Sequence, residues 1–311
     1  MRITHGIHPQ IDHPSAVTVG NFDGVHLGHQ TMLRQLVETA HARQLTPCVI
    51  IFEPHPREFF APHNAPARLS NLRDKLAGLA KMGIAHVHIC RFNNELAHMP
   101  AEQFIRQILV QGLRMQYLLI GDDFRFGAQR AGDFALLQKY SVMHAYTLRA
   151  MASVTAHGLR ISSTAVRDAL AASRFDLAQQ LLGRPYQISG HVIHGNKLGR
   201  QLGFPTANLP IKQRKLALAG VFVVQVHGLA ARLLPAVASL GIRPTIKATA
   251  QPLLEIHLLN FNDNLYGRII HVDFLAKLRN EEKYPDLTAL TEQIERDVAC
   301  AQDYFNHSPA A

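Results

Sequence analysis
Two histidines three residues apart, His26 and His29, stand in the run Gly20-Asn21-Phe22-Asp23-Gly24-Val25-His26-Leu27-Gly28-His29. At the start of a helix this spacing puts both rings on one face, beside free backbone N–H groups and the positive end of the helix dipole. That is a site for phosphate. Gly24 and Gly28 let a nucleotide approach the backbone closely, as a bulkier side chain would not. A zinc pair or plain capping histidines are the alternatives, which the Gly-Asn-Phe-Asp-Gly context disfavours. A second element is Ile161-Ser162-Ser163-Thr164-Ala165-Val166-Arg167, where hydroxyls can cap a first helical turn and Arg167 lies three residues after Thr164. Alone it reads as a capped helix; paired with the histidines it reads as the second half of a phosphate site. Phe52-Glu53-Pro54-His55-Pro56 and Asp122-Asp123-Phe124-Arg125-Phe126-Gly127 are less specific, and each is also ordinary loop chemistry.

The second half carries His194-Gly195-Asn196-Lys197-Leu198-Gly199-Arg200-Gln201-Leu202-Gly203-Phe204-Pro205-Thr206-Ala207-Asn208. Gly195, Gly199 and Gly203 make a loop that can lay N–H groups against phosphates, with Lys197 and Arg200 adding charge. Thr206 and Asn208, two apart in extended chain, point to one side and offer hard oxygen ligands to a Mg²⁺ that carries nucleotide phosphates. In Leu253-Leu254-Glu255-Ile256-His257-Leu258-Leu259 the leucines and isoleucine alternate onto an apolar face, so Glu255 and His257 share the opposite one. A carboxylate there is a natural general base for a hydroxyl nucleophile. A Gly-rich hairpin and a solvent-facing Glu are the plainer readings. Arg279, in Leu278-Arg279-Asn280-Glu281, faces either ligand or solvent.

These residues need scaffolds to hold them. The chain has 311 residues, 47% hydrophobic and 18% charged, which fits two folded domains and excludes both a single small module and a disordered chain. No apolar run reaches the roughly 18 to 20 residues that cross a bilayer, and the first residues lack a signal-like apolar core. A cytoplasmic location follows. Three cysteines, Cys48, Cys90 and Cys300, are scattered and read as small, mostly buried hydrophobes. The net charge of +9 is spread over both halves and does not choose between anionic small molecules and nucleic acid. The absence of Trp and of a dense basic run counts against nucleic acid.

In the first half, strands at Ala16 to Val19, Pro47 to Glu53, His86 to Cys90 and Tyr117 to Gly121 alternate with helical patterns. The helices fall at Leu27 to Gln44, Leu72 to Lys81, Ala101 to Arg114 and Phe134 to Tyr140. This predicts an α/β doubly wound parallel sheet with ligands at the carboxyl ends of its strands. Beyond Tyr186, short alternating runs split by Gly, Pro and Asn predict a small antiparallel barrel or sandwich. It is closed by a helix from about Leu287 to Phe305, with Leu290, Ile294, Val298 and Ala301 on one face. The boundary falls near Gly183-Arg184-Pro185, which gives domains 1–184 and 185–311.

His-x-Gly-His after a strand resembles the signature of the adenylyltransferase superfamily. With both halves taken together, the chain resembles the bacterial bifunctional riboflavin kinase/FMN adenylyltransferases, or FAD synthetases, along essentially its full length. The ordered motifs that carry this are at 20–29, 52–56, 121–127 and 161–167, then Gly-Arg-x-x-Gly-Phe-Pro-Thr-Ala-Asn at 199–208, Arg-Pro-Thr at 243–245, Glu-x-His at 255–257 and Asp-x-Leu-Tyr-Gly at 263–267. Leu27, where Arg is frequent, and Ser239, where Asn is frequent, depart from the pattern; Leu27 removes one positive charge from the nucleotide site. The resemblance implies a Rossmann-like nucleotidyltransferase domain followed by a β-barrel riboflavin kinase domain with a C-terminal helix. It implies phosphorylation of riboflavin by ATP in the second domain, with Glu255 as base and Mg²⁺ on Thr206 and Asn208. Nucleotide contacts there fall to Gly195, Lys197, Gly199, Arg200 and Gly203. In the first domain it implies attack of FMN on the α-phosphate of ATP, with release of pyrophosphate. His26 and His29 stabilise the α-phosphate, Gly20, Asn21, Phe22, Asp23, Gly24 and Gly28 cradle the nucleotide, and Ser162, Ser163, Thr164 and Arg167 take the pyrophosphate side. Asp122, Phe124 and Arg279 are implied flavin contacts. The expected partners are ATP, riboflavin and FMN, without nucleic acid or membrane, and a homo-oligomer is compatible with this. Retention of only one active domain is the competing reading, which the intact ligand residues of both halves oppose.

Overall fold
Apolar runs such as Cys48-Val49-Ile50-Ile51, fully buried, mark strands covered on both faces, and in this chain they build a parallel sheet. The computed structural model describes residues 1–156, 158–195, 198–212, 215–229, 232–242, 251–261 and 263–307. The expected phosphate contact Lys197 and the Arg243-Pro244-Thr245 motif lie outside the described residues. Packing divides the chain into two units, Met1–Pro66 with Lys75–Ser162, and Ala67–Asp74 with Ser163 onward. No helix among the described residues is long and apolar enough to cross a membrane.

The first unit holds β1 (Arg2–Gly6), β2 (Ser15–Val19), β3 (Thr46–Glu53), β4 (His86–Arg91), β5 (Met115–Gly121) and β6 (Thr147–Met151) in the order β1-β4-β3-β2-β5-β6. Every pairing is parallel. Strand order reverses at β2, so the crevice of a doubly wound sheet opens at the carboxyl end of that strand, where Gly20 follows. The helix Leu27–Ala42 buries Leu33, Leu36 and Ala40, one helical face, while Met32 and Val37 beside them are only half-buried. A short hairpin, β7 (Thr155–Ala156) and β8 (Leu159–Arg160), follows the sheet.

Three features correct the sequence reading. Strands β1 and β6 were not anticipated, so the Glu53 and Asp122 loops follow the third and fifth strands. The stretch read as one α-helix from Ala101 is α-helical only to Gln103 and then winds as a π-helix over Phe104–Gly112. The wider turn brings Phe104, Ile105, Ile108 and Leu109 into the core together. Cys48 and Cys90 are buried, but Cys300 is exposed.

The second unit is a six-stranded antiparallel sheet of β9 (Tyr186–His191), β10 (Ala207–Pro210), β11 (Gly220–His227), β12 (Leu234–Ile242), β13 (Pro252–Leu258) and β14 (Ile269–Arg279). The order is β10-β13-β12-β11-β14-β9. A bridge between Ile193 and Asn208 draws the two edges together, so the sheet is a nearly closed barrel. The last helix, Leu287–His307, packs Val298 and Ala301 against Val221, Val223 and Val237 on the barrel's outer face. The helices Ser163–Ala171 and Phe175–Leu182 belong to this unit. So does the segment Ala67–Asp74, drawn from between β3 and β4: Asp74 accepts from the Ser189 hydroxyl and, at 3.2 Å, from its N–H, while Asn71 Nδ2 donates to the Ser189 carbonyl at 3.1 Å.

At the β1–β4 edge, the Thr4 hydroxyl bonds His86 Nε2 at 2.8 Å and His88 Nδ1 at 2.9 Å. Both rings are buried, and desolvation first, then neighbouring His13 and Arg2 for His86 and His86 for His88, lowers each pKa to about 4. A histidine in the unfolded chain titrates near ~6.5, so above that pH both states are neutral and the term is absent. Between ~6.5 and the folded value the unfolded chain takes up protons that the folded one refuses, and stability falls by at most about 1.4 kcal/mol per pH unit for each ring. Amide exchange of β1 and β4 is therefore expected to accelerate as pH drops from 7 to 5 after correction for intrinsic rates, and less so in His88→Gln.

Candidate active sites
The loop after β2 is wound tightly. Phe22 and Val25 sit at φ 47° and 43° and Gly24 at φ 78°, and the Phe22 side chain is buried under the turn. The Gly20 N–H donates to Ile50 O at 3.1 Å, tying the loop to β3, and a Cβ at Gly20 would lie 3.0 Å from the Phe22 ring. His26 is the N-cap of the helix Leu27–Ala42, its Nδ1 accepting from the His29 N–H at 3.3 Å. The two imidazoles stack with centroids 3.6 Å apart and planes at 17°, and Phe22 lies 4.9 Å from His29. Because Nδ1 of His26 accepts, the proton of its neutral ring sits on Nε2, which fixes the tautomer. His29 Nδ1 and Asn21 Oδ1 are buried without a partner among the described residues. Burial first, then the charges of His26 and Lys75, holds the His29 pKa well below its usual value, so its ring is neutral in the ligand-free protein.

One expectation changes here. The N–H of His29 is not free for an anion, because His26 takes it. A Cβ at Gly28 would lie 3.2 Å from His26 Nδ1 and 3.3 Å from the Ile161 carbonyl, so the missing side chain makes room for protein. Gly24 keeps its positive-φ role.

Around the same strand ends, His55 caps the helix Pro56–Phe60 by accepting from the Arg57 N–H at 3.1 Å, so it serves the backbone. Phe124 stacks on buried Phe126 at 5.3 Å, and Asp122 accepts from the Ser153 hydroxyl at 3.4 Å. The sequence reading missed an aromatic cluster: Phe59, Phe60 and Phe92 lie 5.3 to 5.5 Å apart, edge to face, with Phe52 6.0 Å from Phe92. Phe60 is 65% exposed. Ser162 closes the first unit, while Ser163, Thr164 and Arg167 belong to the first turns of the helix Ser163–Ala171 in the second, where Arg167 Nε donates to the Ala67 carbonyl.

In the barrel, register assembles a row across five strands. Asn208 on β10 lies opposite Glu255 on β13, Glu255 opposite Ser239 on β12, Ser239 opposite Val221 on β11, and Val221 opposite Arg279 on β14. All five line one cavity of about 260 Å³, together with Gly199, Phe204, Thr206 and His257. Its roof is the last helix, through Leu290, Ile294 and Val298. The structure thus brings Thr206, Asn208, Glu255 and Arg279 together as the sequence predicts. Sequence reasoning did not single out Ser239 as a site residue, nor Glu281, whose Oε1 accepts from the Ser239 hydroxyl at 2.6 Å, nor Tyr284, nor Asp297, which grips Arg279 through Nη2 at 2.8 Å and Nε at 2.9 Å. Asn208 Nδ2 donates to the Thr206 carbonyl at 3.3 Å, which leaves its Oδ1 as an acceptor, and both residues line the cavity.

A second cavity of about 570 Å³ adjoins the first and shares Thr206 as a wall; Arg200, Pro205, Phe261, Leu265 and Tyr266 line it. Two of the glycines nearby are closely packed. A Cβ at Gly195 would lie 2.5 Å from Asn208 Nδ2, and one at Gly199 2.4 Å from the Phe204 carbonyl. Gly203, at φ 88°, turns the chain after the short helix Leu198–Gln201.

Among known families, the FAD synthetase family matches residues 8–165 and the riboflavin kinase family residues 182–305. The chain is similar to the bifunctional riboflavin kinase/FMN adenylyltransferase of Escherichia coli (strain K12), at 46% identity over 308 residues that cover 98% of each protein. It is similar to that of Haemophilus influenzae at 45% over 308 residues, covering 98% of this chain and 100% of the relative. With that of Pseudomonas fluorescens the identity is 47% over 304 residues, covering 97% of each. A crystal structure described as a macrolide-efflux protein from Streptococcus pneumoniae matches 97% of this chain and 99% of its own with TM-score 0.79 and 26% identity. That description concerns that protein alone.

Gly→Ala inside a helix usually stabilises by about 0.4–1 kcal/mol. At position 28 the sign is expected to reverse, because the added methyl displaces the His26 cap; Gly28→Ala should melt below the wild type in a thermal unfolding scan. His26→Ala should lose about 1 kcal/mol, the usual worth of an N-cap.

Proposed function
The chain belongs to the family of bifunctional riboflavin kinase/FMN adenylyltransferases, its FAD synthetase part N-terminal and its riboflavin kinase part C-terminal, and from that premise we propose how its residues divide the two reactions. The row of Asn208, Glu255, Ser239, Val221 and Arg279 facing one helix-roofed cavity is the observation that carries the reading of the kinase site. Riboflavin lies in that cavity and ATP in the adjoining one, so the γ-phosphate meets the 5′-hydroxyl near the shared wall at Thr206. Glu255 accepts the hydroxyl proton as the oxygen attacks phosphorus, and ADP leaves. Arg200 faces the nucleotide, with Lys197, Gly195, Gly199 and Gly203 on the same loop. The hydroxyl of Thr206 and the Oδ1 of Asn208 are neutral hard donors that suit a Mg²⁺ already shared with phosphates. When bound there, the ion supplies charge neutralisation across those phosphates; the protein residues orient the hydroxyl and remove its proton.

Adenylyl transfer belongs to the crevice beyond β2. A phosphate oxygen of FMN attacks the α-phosphate of a second ATP, and pyrophosphate departs. A phosphomonoester has its second pKa near ~6, so the nucleophile is already ionised and no general base is required. His26 presents Nε2–H, and the arriving triphosphate favours protonation of His29, which is neutral without ligand, so positive charge appears only when there is negative charge to meet it. Asn21, Phe22, Asp23 and Gly24 shape the cradle, and Ser162, Ser163, Thr164 and Arg167 take the pyrophosphate side. On the flavin side stand Asp122 and Phe124, joined by the exposed aromatic face of Phe60.

The functional division is 1–184 for adenylyl transfer and 185–311 for the kinase. We place the enzyme in the cytoplasm, acting on free ATP, riboflavin and FMN without nucleic acid or membrane, as a monomer or a homo-oligomer.

Chromatography of flavins after incubation with riboflavin, ATP and Mg²⁺ tests this. The wild type should yield FAD. Glu255→Gln should leave riboflavin unconverted while still turning supplied FMN into FAD, and His29→Ala should stop at FMN. Phosphorylation by Glu255→Gln at the wild-type rate would overturn the assignment of the base.

A further inference from the structure
His257 shares its face of β13 with Glu255, two residues away, and lines the same cavity. Its Nδ1 lies 3.0 Å from the carbonyl oxygen of Pro205, a residue 52 positions earlier in the chain. A carbonyl only accepts, so Nδ1 carries the proton and donates, whether the ring is neutral or charged. The bond stands where the ladder between β10 and β13 stops. Asn208 is level with Glu255, and the same register continued past the first residue of β10, Ala207, sets Thr206 level with His257. The imidazole therefore takes over from the strand pairing at the residue that enters the strand.

The carbonyl of Pro205 belongs to the peptide whose nitrogen is that of Thr206. Holding that oxygen fixes the peptide plane, and with it the direction in which the Thr206 side chain leaves the backbone. The Pro205 ring restricts the rotation on the other side of the same peptide. The second peptide flanking Thr206 is held as well, by Asn208 Nδ2 donating to the Thr206 carbonyl at 3.3 Å. Before the proline, the Phe204 N–H donates to the Gly199 carbonyl at 2.7 Å, and the Phe204 ring meets the His257 imidazole edge to face at 5.4 Å. Pro205 lines the second cavity, His257 the first and Thr206 both, so this clamp lies in their shared wall.

Resting on the reading of Thr206 and Asn208 as the Mg²⁺ donors and Glu255 as the base, we propose that His257 is a positioning residue of the kinase. By donating from Nδ1 to Pro205 it keeps the Thr206 hydroxyl in register with Glu255, so that the ion and the base address one phosphate and one hydroxyl. The Nε2 of the ring has no part in this. Groups that orient the ligands of a metal are worth about 10–100-fold in affinity or activity.

The two nitrogens of the ring can be tested separately, because an asparagine amide nitrogen stands in for Nδ1 and a glutamine amide nitrogen for Nε2. His257→Asn keeps the donor; His257→Gln and His257→Leu lose it. The binding readout is the gain in ADP affinity on adding Mg²⁺, measured by calorimetry, with the first unit contributing the same background to every variant. That gain should fall by about tenfold or more in the Gln and Leu variants. The kcat for riboflavin phosphorylation should fall with it, while the riboflavin KM stays within about twofold and thereby shows a folded barrel. His257→Asn should restore both quantities. Rescue by Gln instead of Asn would mean that the ring acts through Nε2, and an undiminished Mg²⁺ effect in His257→Leu would mean that Thr206 needs no such hold; either result overturns the proposal. Thr206→Val separates its failure from that of the reading beneath it. If that variant also leaves the Mg²⁺ effect intact, the assignment of the ion donors falls and the proposal with it; if it abolishes the effect while His257→Leu does not, the proposal falls alone.

Discussion
Strand register in the barrel is the constraint on which the kinase half depends. Side chains along a strand alternate between faces, so a slip of one residue between β10 and β13 would turn Glu255 into the barrel beside Leu209 and bring Leu254 or Ile256 out under the helix. An unpaired carboxylate in that core is costly, and the buried Leu254, Ile256 and Leu258 hold the register that avoids it. The same alternation that packs the barrel therefore delivers Asn208, Glu255, Ser239 and Arg279 to a single face. The packing of the barrel and the lining of its cavity are set by one pattern.

The nucleotidyltransferase half works from a different constraint. Its sheet reverses order at β2, and the loop leaving that strand must turn at once into a helix. Positive φ at Phe22, Gly24 and Val25 makes the turn, and the imidazole of His26 then completes the helix start by bonding the His29 N–H. Capping and phosphate chemistry are thus not alternatives for His26. Accepting at Nδ1 for the backbone leaves the proton on the nitrogen that can serve a ligand.

Much of this was legible in residue spacing. The alternation of strand and helix, the shared cavity of Thr206, Asn208 and Glu255, and the helical face of Leu290, Ile294 and Val298 follow from local periodicity, which is what sequence displays. Strand β1, Arg-Ile-Thr-His-Gly, was not, because Ile3 is its only large aliphatic residue and is 40% exposed; the strand is held by pairing with β4 and by the Thr4 bonds. Winding of Phe104–Gly112 as a π-helix depends on hydrogen-bond offset rather than residue type. The Arg279–Asp297 and Ser239–Glu281 bonds join residues 18 and 42 apart, and the cluster of Phe59, Phe60 and Phe92 joins neighbouring strand ends. Such partners are chosen by the fold. The glycines stand out in the sequence, but that Gly28, Gly195 and Gly199 yield space to His26, Asn208 and Phe204 shows only in the fold.

The segment Ala67–Asp74 lies, by chain position, within the stretch that matches the FAD synthetase family, yet its packing is with the barrel, where Asn71 and Asp74 clasp Ser189. Modularity in this enzyme is therefore not a matter of one cut in the gene. A recombinant that exchanged the kinase half between relatives at a single junction would carry a clasp from one parent and its Ser189 partner from the other, so the seam of such a chimera runs through two places in the chain rather than one.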